Sequence, residues 1–298
     1  MKHPKISVVI GTLNQCSVLK KVLPFYEHIQ TSKEDFEVIV VDSTSTDGSI
    51  EFLSKYKPNY QFSFHIQKNN GKAAARNKAA SMAKGTILLI TDADMIPDKT
   101  FVQGHLEAHE NTSSLACFEG LAWNLKVLEF PPKPEDISPQ VGTHPKHMSK
   151  LGWYYFLTGN ISIPKQLFDQ EKGFNQLFKG YGWEDLELGY RLYRQNIPLY
   201  YLKTSVNYHY HVINNDDFIN RNIHKGKSAQ IFLKLHPQLK WFLGFNPIST
   251  FIFPRIKQDS LVFKFFKNIC YKSQFKWLDA IGFWFLQEYF YIKGALSK

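Results

Sequence analysis

Over the first two hundred residues, short continuous apolar runs alternate with stretches whose apolar positions recur at helical spacing. "KISVVIGTLN" predicts a buried strand ending in a Gly-Thr loop, and "VLKKVLPFYEHIQ" predicts a helix after it. "FEVIVVDSTSTDGSIEFLSKY" predicts a second apolar strand, a polar turn, and a helix that begins at the Ser/Thr/Asp/Gly cluster. "FSFHIQ" predicts a short strand, and "GKAAARNKAASMAKG" an alanine-rich helix stopped at Gly85. "TILLITDADMIP" predicts a strand that runs into two aspartates and a proline. "YYFLTGNISIPKQLF" turns from strand-like to helical, and "LYYLKTSVNYHYHV" reads as a strand ending in two histidines. Such alternation implies an α/β fold with a mostly parallel sheet flanked by helices. Sheets of this kind bind ligands at the carboxyl ends of their strands, where Asp42 and the Asp92, Asp94 pair fall. Residues 130–147 carry five prolines and little periodicity, which predicts a long loop.

The end of the chain changes character. Residues 240–298 hold 17 of the 46 aromatic residues, and nine Lys/Arg stand there against three Asp/Glu. That is +6 of the formal +10, so the rest of the chain is only mildly basic. Segments such as "LVFKFFKNICYKSQFKWL" predict amphipathic or core helices. Basic, aromatic-rich helices suit the cytoplasmic face of an anionic membrane, or else packing against the rest of the chain or another subunit. The apolar run at the start is too short for a signal peptide, and the absence of an uncharged apolar run of about 18 residues predicts no spanning helix. Three cysteines, Cys16, Cys117 and Cys270, lie far apart. They fit buried thiols in a reducing compartment, hence a cytoplasmic protein, peripheral on the membrane's inner face if the tail binds there.

Several residues could carry chemistry, each against a plainer role. Asp92 and Asp94, one residue apart after an apolar strand, could face Mg²⁺ or Mn²⁺ and leave positions for phosphate oxygens, or simply make a turn. His209 and His211 share one face of their strand and could complete such a shell, or sit at the surface. Asp42 could hold a base or ribose, or cap the turn that follows. Lys72 and Arg76 lie four apart on one helical face and could reach a diphosphate, or be solvated. In "YGWEDLELGYRL", Glu184 and Asp185 occupy a first helical turn, where the helix dipole favours negative charge. They are either caps or chemistry. Four-residue spacing makes Glu187 and Arg191 a surface pair.

Taken in order, these segments resemble family 2 of the inverting, nucleotide-sugar-dependent glycosyltransferases, which have the GT-A fold. "ISVVIGTLN" is similar to the family's opening strand and nucleotide loop, with Gly11 where proline is usual. "EVIVVDSTSTDGS" is similar to the base-binding strand, with Ser43 and Thr44 departing from the usual pattern. "NNGKAAARNKAASMAKGTILLITDAD" resembles the run into the metal-binding D-x-D, and "GYGWEDLELGYRL" the acidic acceptor motif. The resemblance covers about residues 5–212. It implies a catalytic domain over 1–219, with a nucleotide half (about 1–118) and an acceptor half (about 119–219), followed by a helical extension over 220–298. It implies Asp185 as the base that deprotonates the acceptor hydroxyl. Thr12, Asn14, Asp42, Lys72, Arg76 and Asp92 would lie on the nucleotide-sugar side, and Asn160, Trp183 and Glu184 around the acceptor or donor sugar. Mn²⁺ or Mg²⁺ would be held by Asp92, Asp94, His209 and His211. The implied partners are a nucleotide-sugar donor, UDP-linked by preference, and a glycan or lipid-linked glycan acceptor, with no nucleic acid.

Other functions fit less well. A sugar-1-phosphate nucleotidyltransferase needs a glycine-rich basic loop after the first strand, and "GTLNQCSVLK" is not one. A dehydrogenase needs G-x-G-x-x-G there, and a processive membrane synthase needs spanning helices. A decayed, non-catalytic nucleotide-sugar-binding module would be expected to have lost Asp94 or Asp185, and both remain.

Overall fold

A computed structural model describes residues 3–125, 137, 144–210, 215–272 and 276–297. Most of the expected proline-rich loop, and His211 with it, lie outside these described residues. The chain forms two compact units. The first comprises residues 1–176 and 184–212; the second comprises 177–183 and 213–298.

Strands β1 (Ile6–Thr12), β2 (Phe36–Asp42), β3 (Gln61–Ile66) and β4 (Ile87–Asp92) make the parallel half of the first unit's sheet, in the order β3-β2-β1-β4. Every residue of β1 and β2 is buried. That explains why these strands read as continuous apolar runs: a sheet covered on both faces has no polar side. The crossovers are α1 (Cys16–Val22), α2 (Ser49–Lys55) and α3 (Lys72–Met82). The helix expected over 18–30 stops early. Pro24 lies at the start of a 3-10 turn over Leu23–His28, because its ring nitrogen cannot donate to the preceding turn.

The rest of the unit carries β5 (Met95–Pro97), α4 (Phe101–Glu110), β6 (Cys117–Leu125), β7 (Lys150–Leu151), β8 (Ile161–Pro164), α5 (Lys165–Gln170), α6 (Glu184–Arg194) and β9 (Leu199–Tyr210). The sheet continues past β4 as β8-β6-β9-β5, with β7 on β9. β8 runs antiparallel to β4 and β6, whereas β6 and β9 are parallel. The sheet is therefore mixed beyond its parallel half. The single strand expected over 86–97 breaks after Asp92. β5 leaves the edge of β4 and pairs with β9, with Met95 opposite His209.

Alternate side chains of the central strands feed two apolar layers. Ile6, Val8, Ile10, Val38, Val40 and Leu89 pack with Phe101 on one face. Val9, Ile39, Val41, Leu88 and Ile90 pack on the other with Ala73, Ala75 and Ala79 of α3 and Leu188 and Leu192 of α6. Each such aliphatic side chain contributes about 1.5–3 kcal/mol on burial. The alanines let α3 lie close to β1. A Cβ added to Gly11 would come 3.1 Å from the Ala75 Cβ, tight enough to push α3 outward. Gly11 is thus fitted to the neighbouring helix.

The second unit is helical: α7 (Asn215–Leu235), α8 (Pro247–Ile252), α9 (Leu261–Lys272) and α10 (Lys276–Leu296). α7 and α10 cross backbone against backbone. A Cβ at Gly226 would sit 2.0 Å from the Tyr291 carbonyl oxygen. α9 packs on α10 through Phe266 stacked on Phe285, centroids 4.0 Å apart, and Phe263 against Tyr289 at 4.8 Å. Among the described residues no helix is long and apolar enough to cross a membrane. All three cysteines are free and buried.

Candidate active site

The parallel strands end side by side. Thr12 of β1 is in register with Asp42 of β2, and Gly11 with Asp92 of β4. The loops beyond are tied to one another by hydrogen bonds. The Asn14 amide donates to Ser45 Oγ (2.7 Å), and Asn14 Oδ1 accepts from the Thr46 amide (2.8 Å). Asp47 Oδ2 accepts from the Cys16 amide (2.8 Å), fixing the start of α1. Asp42 is fully buried. Its two oxygens take the Ser45 amide and hydroxyl, each at 2.7 Å. The plainer role weighed for Asp42, holding the turn, is the one its side chain plays in this structure. Thr12 is nearly buried, and its hydroxyl lies 3.3 Å from Gln15 Oε1.

Arg76 corrects the expectation of a diphosphate contact. α3 carries it inward to 2% exposure, where its fork spans two acids. Nη2 donates to Asp92 Oδ1 at 2.6 Å and Nη1 to Glu184 Oε1 at 2.9 Å, with the guanidinium 5.7 Å from the Phe174 ring. Thus the D-x-D strand and the E-D helix, 92 positions apart in sequence, are held by one buried cation. Lys72, at the exposed start of α3, reaches the same Asp92 oxygen at 3.5 Å. Burial opposes ionisation of Asp92, but Lys72 and Arg76 outweigh it and hold the carboxyl below the usual range.

Asp94 lies beyond the break in the strand, and its Oδ2 is 3.4 Å from His209 Nε2. His209 Nδ1 lies 3.3 Å from Asn124 Oδ1. A proton on Nδ1 donated to that amide oxygen leaves the Nε2 lone pair aimed at Asp94. An imidazole nitrogen beside a carboxylate oxygen, with the far ring nitrogen hydrogen-bonded, suits Mn²⁺ or Mg²⁺ as part of a shell. Among the described residues no cluster of three ligating side chains occurs. The donor set here is Asp94 and His209, which leaves positions for phosphate oxygens or water. Asp92, assigned to the metal by the motif, is already shared by two cations.

α6 begins at Glu184, after two residues with positive φ, Gly182 (87°) and Trp183 (75°). Such a conformation is strained for a bulky side chain. Trp183 belongs to the second unit, where its indole donates to the Lys225 carbonyl at 3.0 Å and the Lys225 ammonium lies 5.0 Å over the ring. Glu184 is buried, and its Oε2 has no hydrogen-bond partner among the described residues. Asp185 is half-buried, and its Oδ1 accepts from the Leu186 amide at 2.8 Å. Burial first, and then the charge of Glu184, raise the Asp185 carboxyl to about 7 against the pull of Arg76 and the Leu186 N–H.

Two more sequence readings change, and one residue is added. Asn160, assigned to a sugar pocket, is fully buried. Its Oδ1 lies 2.7 Å from His105 Nε2, and its Nδ2 donates to the carbonyls of Leu121 and Ser205. It is a clamp between strands. Glu187 and Arg191 do pair, but not at the surface: Glu187 is 1% exposed, and Arg191 also donates to the Glu171 and Gly173 carbonyls. Glu119 on β6 was not singled out. It is buried, with Oε2 accepting from the Leu157 amide at 3.2 Å. Burial and the charge of Asp185 drive its carboxyl well above the usual range despite that hydrogen bond. A lone acid inside the apolar "CFEGL" was the available signal.

Comparison with known proteins places this geometry in context. Residues 7–171, more than half of the chain, match the family described as glycosyl transferase family 2. Residues 142–215 match one described as the N-terminal domain of galactosyltransferase. The validoxylamine A glucosyltransferase of Streptomyces hygroscopicus subsp. jinggangensis is 30% identical over 225 residues, covering 66% of this chain and 53% of the relative. The chain thus spans about half the length of that relative. The mannosyltransferase PcManGT from Pyrobaculum calidifontis, solved with GDP-Man and Mn²⁺, aligns with a TM-score of 0.64 at 14% identity, covering 99% of this chain and 87% of its own. S. aureus TarS 1-349 in complex with UDP-GlcNAc aligns at 0.61 and 15% identity, covering 99% and 90%. At these identities the two structures establish the fold.

Proposed function

The chain belongs to glycosyl transferase family 2 and has the GT-A fold; from that premise we propose that it moves a sugar from a nucleotide diphosphate donor, UDP-linked by preference, to a hydroxyl of a glycan or glycolipid. The transfer is a single displacement that inverts the anomeric carbon. The observation that carries this reading is the acid group at the start of α6. Asp185 is raised to about 7, while its neighbour Glu184 is fixed by Arg76.

A base whose pKa lies near the working pH is both substantially ionised and strong enough to take a proton in the transition state. Asp185 receives the acceptor's hydroxyl proton as that oxygen attacks. Glu184, held by Arg76, acts on Asp185 through its charge. Lys72 meets the diphosphate from the exposed first turn of α3, and Thr12 and Asn14 border the nucleoside. Arg76 touches no substrate in this scheme; it holds Asp92 and Glu184 in place. Asp94 and His209 would hold Mn²⁺ or Mg²⁺, which when bound supplies Lewis-acid stabilisation of the leaving diphosphate. The preference for UDP draws on the UDP-GlcNAc complex of TarS. The acceptor is presented at an anionic membrane surface on the cytoplasmic side, which residues 240–298 meet.

A screen of nucleotide sugars for thermal stabilisation, with and without Mn²⁺, tests the donor side. Stabilisation by none of them would end this reading. Asp185→Asn should bind the donor as the parent does and lose transfer by a factor of 10² or more, the usual scale for a general base. Preserved transfer would remove Asp185 from its role.

A further inference from the structure

One face of the helical unit exposes apolar side chains where a surface helix is normally polar. On α10, Trp277, Ile281 and Trp284 recur at i, i+4 and i+7 and are 63%, 41% and 59% exposed. On α8, Ile248 and Phe251 are 69% and 60% exposed. The two stripes are joined: Phe253, in the turn that follows α8, packs against Trp284 with centroids 6.4 Å apart. Arg255 ends that turn, exposed, with its guanidinium 3.6 Å from the centre of the Phe251 ring. Lys257 follows, also exposed. On α9, Leu261 and Phe265, one helical turn apart and 86% and 58% exposed, are interleaved with exposed Lys264 and Lys267.

We infer that this face docks on the surface of an anionic bilayer, with the α10 and α8 stripes at the level of the acyl-chain boundary and Arg255 and Lys257 among the headgroups. Two tryptophans on one stripe are suited to that boundary, where an apolar ring body and a polar N–H are both accommodated. No described helix can span, so the mode is one of lying on the surface. The charge selects the occupant. Residues 240–298 carry nine Lys/Arg against three Asp/Glu. A second copy would set this excess against itself, whereas anionic lipid neutralises it. The inference deepens the membrane part of the reading above and is independent of sugar transfer.

The test is co-sedimentation of the full chain, without nucleotide sugar, with vesicles of phosphatidylcholine alone or mixed equally with phosphatidylglycerol. The parent should pellet with the mixed vesicles, pellet weakly with phosphatidylcholine alone, and dissociate as salt rises. Ile281→Glu/Trp284→Glu should weaken binding about tenfold or more, since it sets two acids on the inserted stripe. Arg255→Glu/Lys257→Glu should abolish the preference for anionic vesicles. Helix content should match the parent; because Trp284 touches Phe253 and Arg255 lies over Phe251, binding is compared at a temperature well below the melting point of each variant. Equal pelleting of parent and both variants would overturn the inference, as would no pelleting of the parent. It also falls if the parent is a dimer that Ile281→Glu/Trp284→Glu makes monomeric while vesicle binding is unchanged, which would assign the face to a second copy. Thermal stabilisation by nucleotide sugar, measured on the same variants, should be unchanged, so loss of one reading leaves the other standing.

Discussion

Removing the charge of Arg76 tests the architecture of the site most directly. Arg76→Met keeps much of the side-chain length and apolar stem, so the perturbation is chiefly the loss of a buried cation. The guanidinium is 2% exposed and donates at 2.6 Å to Asp92 and at 2.9 Å to Glu184. Taking one partner from a buried ion pair costs about 3–5 kcal/mol, because the remaining charge is neither solvated nor paired. Asp92 retains Lys72 and a side chain that is 23% exposed, whereas Glu184 retains neither. Most of the cost therefore falls on Glu184. For a unit of this size the loss corresponds to a fall of roughly 6–20 °C in melting temperature.

A second substitution identifies the cause. In the variant, Glu184 is a buried carboxylate without a counter-charge. Adding Glu184→Gln should restore about 2 kcal/mol at pH 8, since the double variant has no stranded charge. Urea denaturation of the parent and of the single and double variants measures both differences. A deficit below about 1 kcal/mol, or one that Glu184→Gln leaves unrelieved, would refute the claim that this fork carries the junction.

Three further outcomes follow from the same geometry. The pH–rate profile for transfer should fall on its acid side near 7, where Asp185 takes up its proton. Glu184→Gln should move that limb down by about one unit by removing a like charge, and a limb at the ordinary carboxylate value would count against Asp185 as base. His105 and His109 share the Ser162 hydroxyl and are held down to about 4 and about 3, mainly by burial. Unfolded histidines take up protons below about 6.5, so stability should fall as pH drops from there, by up to about 2.7 kcal/mol per pH unit for two protons. His109→Gln should halve that slope, and an unchanged slope would exclude it as a source. Asp94→Asn should abolish the thermal stabilisation gained from Mn²⁺ together with UDP. If the gain survives, Asp94 is not the anchor.

The parts legible in the sequence were those dictated by local pattern. Apolar runs marked β1, β2 and β4, "TDAD" marked the acids at and just beyond the end of β4, and "WEDLELG" those that open α6, because strand burial and first-turn acids leave short, regular signatures. What the sequence could not show was which way a side chain points once distant segments meet. Arg76 and Lys72 share a helical face at i and i+4, yet Lys72 begins α3 in solvent while Arg76 lies one turn further in, buried beside Gly11. The periodicity that put them on one face therefore could not tell an exposed cation from a buried one. Asn160 and Glu187 failed in the same way. Both are polar residues that strand and helix spacing leave free to face outward, but a deep set of partners consumes them: His105, Leu121 and Ser205 for Asn160, and Arg191 for Glu187. Asp94 is the converse case. Its separation from Asp92 depends on the chain breaking out of β4 to pair with β9, a long-range choice fixed by Met95 lying opposite His209. Had the strand run straight, alternation would have put both aspartates on one face. The break instead sends one to Arg76 and Lys72 and the other to His209, and that split assigns them different work.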